Sequence, residues 1–186
     1  KERVVEVLVM SRNSPHTSLR IFSSIEHYGL DITRAVLSGG TSLSAYLKAF
    51  GVDLFLSANE GDVKDAINSG FAAGRIYTNT IYDFDPMKEL KQIRIAFDGD
   101  AVLFSDEAER IFQKDGLEAF VENEKQNARK ELPEGPFAKF LKTISDLQKR
   151  FEPESSPIRT ALVTARNAPA HERVVRTLRA WDVRID

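Results

Sequence analysis

The stretch Ile93-Arg94-Ile95-Ala96-Phe97-Asp98-Gly99-Asp100-Ala101-Val102-Leu103-Phe104 decides how the chain is read. A strand-like run delivers two carboxylates, Asp98 and Asp100, on either side of a glycine, and a second apolar run follows. In open α/β sheets ligands gather at the C-terminal ends of strands, so chemistry is expected here. Gly99 lets the backbone turn sharply or approach a ligand closely. Two hard oxygen donors at this spacing suit one Mg2+, which keeps several waters and bridges to a substrate phosphate. One carboxylate can then attack phosphorus while the other handles the proton of the leaving oxygen. The cation offsets the repulsion between an anionic nucleophile and an anionic substrate. An isolated Asp-x-Asp is common in turns, and its place at a strand end is what gives this one weight. Asp83-Phe84-Asp85 is the control: it follows a polar loop and precedes Pro86, so Asp85 reads as a helix N-cap.

Working outward, short apolar runs alternate with segments of helical period, which predicts an α/β fold with a mainly parallel, layered sheet. Strands are expected near 4–10, 34–38, 52–57, 72–77, 93–98 and 158–164. Helices are expected near 17–28, 42–50, 61–69, 106–114, 116–130, 136–149 and 170–181, with a further short one at 86–91. The polar stretch 78–86 is the best candidate for a boundary. Segment 106–156 breaks the alternation, being almost wholly helical and charged outside, with Phe112, Phe120, Phe137, Phe140 and Leu141 as inward anchors. The charge run Glu122-Asn123-Glu124-Lys125 reads as a solvated helix face.

Composition narrows the function. The 186 residues carry 26 basic and 28 acidic side chains, a net charge of −2 that gives no reason to expect a nucleic acid polymer or an anionic membrane. No apolar run approaches the ~20 residues that span a bilayer, and the start does not read as a signal peptide. Without Cys there are no disulfides, thiol nucleophiles or Cys-based zinc sites. The expectation is a cytoplasmic protein. Lys1-Glu2-Arg3 runs straight into an apolar stretch, and Val183 to Asp186 reads as a strand just begun, so a piece of a longer protein is expected.

A second strand-end signal is Leu162-Val163-Thr164-Ala165-Arg166-Asn167. A hydroxyl and free backbone N–H groups beside a helix N-terminus form a phosphate cradle. Arg166 can add a charge-assisted contact or stand solvated. The same region matches the start of the chain: residues 5–16 lie over 159–170, sharing Leu-Val, Arg-Asn and Pro at fixed spacing. The match implies two related halves; the plainer explanation is that strand-loop-helix units resemble one another. The Gly-rich Ser38-Gly39-Gly40-Thr41-Ser42 lacks the P-loop Lys-Ser/Thr ending and reads as a turn plus helix cap. His16, His27 and His171 lack metal-ligand spacing.

Phe97 to Val102 resembles the first motif of haloacid dehalogenase-type phosphatases, and Thr164 their second. Ala96 to Glu109, Leu162 to Asn167, Ser24 to Leu30 and Tyr46 to Phe50 are similar to one family within that group, the type I cytosolic 5′-nucleotidases. The resemblance implies a Rossmann-like layered parallel sheet with helices on both faces and a small helical cap, here 106–156. It implies hydrolysis of nucleoside 5′-monophosphates of the AMP and IMP type with Mg2+. Asp98 would be the nucleophile and Asp100 the general acid, then base. Both would touch the metal, Asp98 by its carboxylate and Asp100 by its backbone carbonyl. Thr164, Ala165 and Arg166 would hold the phosphate.

On this reading residues 1–80 are a degenerate Rossmann-like half and 81–186 a catalytic half whose third-motif Lys and fourth-motif acids would lie beyond Asp186. In the first half Met10 replaces the hydroxyl of Thr164, and Ser57-Ala58 stands where an acidic pair would fall. Lys48 occupies the place of a third-motif Lys and is a candidate for assisting Asp98. The alternatives are a related small-molecule phosphatase and a non-catalytic nucleotide-binding regulator on the same scaffold. Homo-oligomerisation is left open.

Overall fold

The computed structural model describes residues 4–77, 92–168 and 170–186. The chain forms two compact units, Lys1–Thr78 and Asn79–Asp186. Both are mixed α/β, and their strands pair in parallel.

The first unit runs β1 (Leu8–Ser11), α1 (Leu19–His27), β2 (Arg34–Leu37), α2 (Ser44–Ala49), β3 (Phe55–Ser57), α3 (Glu60–Asn68) and β4 (Ala73–Arg75). β1 pairs with β2, Leu8 opposite Arg34 and Ser11 opposite Leu37, while β3 pairs with β4. Leu43, Leu47, Phe55, Val63, Ala66 and Ala73 form the core, with Met10, Val52 and Phe71 packed against it. Removing this apolar surface from water is the main term favouring the folded unit. Asn59 caps α3 by accepting the Asp62 N–H at 3.1 Å, and Glu60 and Asp62 place negative charge in its first turn, where the helix dipole favours it. β1 starts later than its apolar run suggests: Val4, Val5 and Val7 are more than half exposed, and the strand begins at Leu8.

The second unit runs β5 (Ile93–Asp98), α4 (Glu107–Gln126), α5 (Ala138–Gln148), β6 (Ile158–Val163) and α6 (His171–Ala180). β5 and β6 pair in parallel from Ile93 opposite Ile158 to Asp98 opposite Val163. Phe97, Leu103, Phe104, Leu141 and Val174 are buried beneath them. Phe97 lies 6.0 Å from Phe140 and Phe104 5.5 Å from Trp181, ring centre to ring centre. Gly116, at φ 82° and ψ −176°, divides α4 into two helical stretches, as the separate periods 106–114 and 116–130 lead one to expect. Phe112 is not an inward anchor: it is 47% exposed, its ring edge-on to Phe120.

The described strands form three two-stranded parallel pairs. The proposed boundary 78–86, the helix at 86–91 and the control Asp83-Phe84-Asp85 lie outside the described residues. Among the described residues, no helix is long and apolar enough to cross a membrane.

Val183 to Asp186 follow α6 without forming a regular strand. Asp186 N–H donates to the Thr160 carbonyl at 3.0 Å, and the Asp186 carboxylate accepts from Thr160 N–H at 3.2 Å and Gln148 Nε2 at 2.9 Å. Burial works against its charge, but hydrogen bonds from Arg184 and the Thr160 N–H outweigh it and lower its pKa below the ordinary 3.8. A carboxyl lowered in the folded state stabilises above its unfolded pKa and loses that contribution as pH falls through the folded value. Asp186→Asn should therefore cost about 1–2 kcal/mol at pH 7, and the deficit should shrink as pH drops below about 4. Urea denaturation of both chains across that range checks it.

Candidate active site

The parallel register of β5 and β6 brings the two strand-end motifs to one tip. Asp98, the last residue of β5, sits opposite Val163, so Thr164 is the next residue beyond the pair. Asp98 is exposed and Gly99 buried. A Cβ built on Gly99 would lie 3.3 Å from Thr164 Cβ and 3.5 Å from its Oγ1, so the tips approach too closely for a side chain to fit unless Thr164 shifts. The glycine between the acids thus leaves room for the Thr164 side chain against the β5 tip.

After Gly99 the chain turns within five residues, Gly99–Leu103, closed by Phe104 N–H donating to the Gly99 carbonyl at 3.0 Å. Asp100 is extended there, and Ala101 takes a left-handed φ of 59°. Such a conformation costs an alanine roughly 1–2 kcal/mol, and strain of this kind gathers at functional sites.

The Asp100 carboxylate is held by Arg166. Arg166 Nε reaches Oδ1 and Oδ2 of Asp100 at 3.0 and 3.1 Å, and Nη2 reaches Oδ1 at 2.6 Å. Its remaining nitrogen, Nη1, donates to Glu124 Oε2 at 2.6 Å. Arg173 Nη1 meets the other oxygen of Glu124 at 3.1 Å, and Arg173 also donates to the carbonyls of Lys130 and Glu131. The Arg166 guanidinium lies 5.6 Å from the centre of the Phe120 ring. Side-chain exposure is 2% for Arg166, 0% for Glu124 and 5% for Arg173, against 26% for Asp100. Two guanidiniums thus pair with the carboxylates of Asp100 and Glu124, and the partly exposed Glu107 lies 3.9 Å from Arg173 Nη2. Burial lowers the Arg166 pKa, but the hydrogen bond and attraction from Asp100, then those from Glu124, exceed it, so the pKa is raised.

Of the two readings open for Arg166, a charge-assisted contact or a solvated side chain, its burial excludes the second. One expectation is corrected. Glu124 does not lie on a solvated face, because it continues the half-buried Phe120–Val121 stripe of α4 at helical spacing, and that spacing was the available signal. Arg173 stood out in the sequence only because the internal repeat, continued past one gap, sets it opposite Arg20.

The other candidates are placed as follows. Thr164 Oγ1 accepts the Arg166 N–H at 3.2 Å, which leaves the hydroxyl proton to donate elsewhere. Ala165 is exposed. Lys48 is exposed in the last turn of α2, in the first unit, whereas Asp98 is in the second. Ser38–Ser42 is a turn: Ser38, Gly39 and Gly40 donate their N–H groups to the carbonyls of Ser11, Asn13 and Arg12, so those donors are committed within the unit.

For a divalent cation, the donor chemistry on the second unit's tip is an exposed Asp98 carboxylate and the main-chain oxygen of Asp100, whose carboxylate Arg166 already occupies. Hard oxygens of this kind fit a cation that retains much of its water. Among the described residues, no group of three or more His, Cys, Asp or Glu could hold a metal ion.

An acid pair after a parallel strand, with a hydroxyl at the neighbouring tip, agrees with what comparison with known proteins finds. The family model described as 5′-nucleotidase matches residues 1–186, and the chain belongs to that family. Human cytosolic 5′-nucleotidase 1B is 37% identical over 195 residues, an alignment covering all of this chain and 31% of that protein. The chain thus spans about a third of the length of this curated relative. No solved structure matches it.

Proposed function

We propose that the protein is a divalent-cation-dependent 5′-nucleotidase that releases phosphate from nucleoside 5′-monophosphates of the AMP and IMP type through an aspartyl-phosphate on Asp98. The observation that carries the reading is the single tip shared by Asp98, Gly99, Asp100 and Thr164, with the family match and the relative's name in support. The scaffold is taken to be Rossmann-like and of the haloacid dehalogenase type. Residues 106–156 are its cap and the first unit is a decayed copy, whose Met10 packs into a core instead of offering a hydroxyl. A cytoplasmic location is part of the proposal, supported by the relative being called cytosolic.

In this reaction an oxygen of Asp98 bonds to phosphorus and the bond to the 5′-oxygen breaks. Asp100, whose carboxylate pairs with Arg166 in this structure, must first take up a proton, which it then gives to that leaving oxygen. It then takes one from the water that attacks the phosphorus of the acyl phosphate, releasing inorganic phosphate and restoring the Asp98 carboxylate. The Thr164 hydroxyl and the Ala165 N–H donate to the phosphate oxygens. The Asp98 carboxylate and the Asp100 carbonyl would hold Mg2+, which would supply positive charge against the charge of the phosphoryl group.

The test is phosphate release by the full-length protein from AMP, IMP, dAMP and a set of sugar phosphates, with and without a chelator. Release from the nucleotides should exceed that from the sugar phosphates and fall by about 100-fold or more on chelation, with Mg2+ restoring it. Preference for the sugar phosphates would make it a different phosphatase. Tight nucleotide binding with no release would make it a binding module.

A further inference from the structure

Arg166 has more partners than a phosphate ligand needs. All three of its guanidinium nitrogens are engaged by carboxylates, and its side chain is almost fully buried. Glu124, on α4, is buried completely and takes one guanidinium on each oxygen. A buried ion pair of this kind is weak support for stability alone, because desolvating the charges costs about what their attraction returns. What it fixes is geometry: a guanidinium presents its donors in a rigid plane, so anchoring one end aims the other. Here the aimed end grips Asp100 by both carboxylate oxygens.

The first unit carries an independent parallel. Arg12 aligns with Arg166 in the internal repeat, each opening an Arg-Asn-x-Pro string. Its guanidinium likewise holds two carboxylates, those of Asp62 and Asp65. Asp62 and Asp65 both belong to α3, whereas Arg166 joins two separate elements. The matched arginine therefore pairs with carboxylates in both units, exposed in the first and buried in the second, including the unit without a phosphate-binding hydroxyl.

We propose that Arg166 is a positioning residue for Asp100, not a phosphate ligand, and that Glu124, backed by Arg173, is the anchor that aims it while fastening α4 to the catalytic tip. The assignment rests on Asp100 being the proton-handling residue of the reaction above. It makes α4 part of the active site's support: a shift of the helix moves the carboxylate through a rigid link. Side chains displaced by an ångström or so cost catalysis far more than they cost binding.

The test compares the full-length protein with Glu124→Gln, and with Glu124→Gln/Arg173→Gln. The double variant removes one buried charge of each sign, so Arg166 and Asp100 still balance and the fold is kept even if the single variant is lost. With AMP as substrate and inorganic phosphate as inhibitor, kcat should fall by about 10- to 100-fold, while KM and the phosphate inhibition constant stay within about two-fold. Amide hydrogen exchange in residues 117–126 should quicken by about 10-fold in the same variants. A ten-fold rise in the phosphate inhibition constant with kcat kept would return Arg166 to phosphate binding and overturn the proposal. Unchanged kinetics would overturn it equally. If the unaltered protein releases no phosphate from AMP, the nucleotidase reading fails, and the exchange arm alone decides whether Glu124 fastens α4.

Discussion

Asp98→Asn in the full-length protein is expected to lower phosphate release from AMP by about 10⁴-fold or more, leaving circular dichroism and melting temperature unchanged within experimental scatter. The size of the effect follows from the role. An amide at this position cannot attack phosphorus, and no other described carboxylate stands free at the strand tip, because Arg166 occupies that of Asp100. Stability should not follow activity, since Asp98 is exposed. Loss of an exposed carboxylate at the end of a strand leaves no buried group unpaired. Residual turnover within ten-fold of the unaltered protein would remove Asp98 from the nucleophile's role.

The second large effect concerns folding. Gly135 donates its N–H to the Leu103 carbonyl at 2.8 Å, next to the antiparallel bridge between Phe104 and Glu134. A Cβ at Gly135 would meet the Phe104 carbonyl oxygen at 2.4 Å, the Val102 oxygen at 2.5 Å and the Phe104 carbonyl carbon at 2.8 Å. All three are backbone atoms of the Asp100 turn and the residue that follows it, so no side chain can swing aside to relieve the clash. Gly135→Ala should destabilise the protein by about 3 kcal/mol, the upper end of what overpacking usually costs. For a unit of this size that lowers the melting temperature by about 12 °C or more. Gly116→Ala is the comparison: its Cβ meets nothing within 4 Å, and only its φ of 82° opposes the change. That backbone term is worth about 1 kcal/mol. Equal, small shifts for both variants in differential scanning calorimetry would contradict the packing described around Gly135.

Much of the fold was legible because it is written in short-range patterns. The apolar run Ile93 to Phe97 is a strand, the period around Ala138 to Gln148 is a helix, and Gly116 marks the break in α4. Pairing between strands was harder, because the partner of Ile93 lies at Ile158 and nothing in either sequence names the other. Within the site, Asp98, Asp100 and Thr164 stood out because strand ends followed by acids or a hydroxyl are locally recognisable. Glu124 was hidden by its neighbours: in Glu-Asn-Glu-Lys, polarity points outward, and only the register with Phe120 and Val121 points inward. Its burial depends on Arg166 and Arg173, dozens of residues away, which convert a costly charge into a paired one.

Trapping the covalent intermediate tests the central claim most directly. The full-length protein is mixed with AMP and Mg2+, quenched within a turnover, and treated with borohydride, which reduces an acyl phosphate to an alcohol. Peptide mass mapping should find residue 98 converted from aspartate to homoserine, and not in the absence of AMP. Conversion at a different carboxylate, or none in a preparation that is releasing phosphate, would contradict the account.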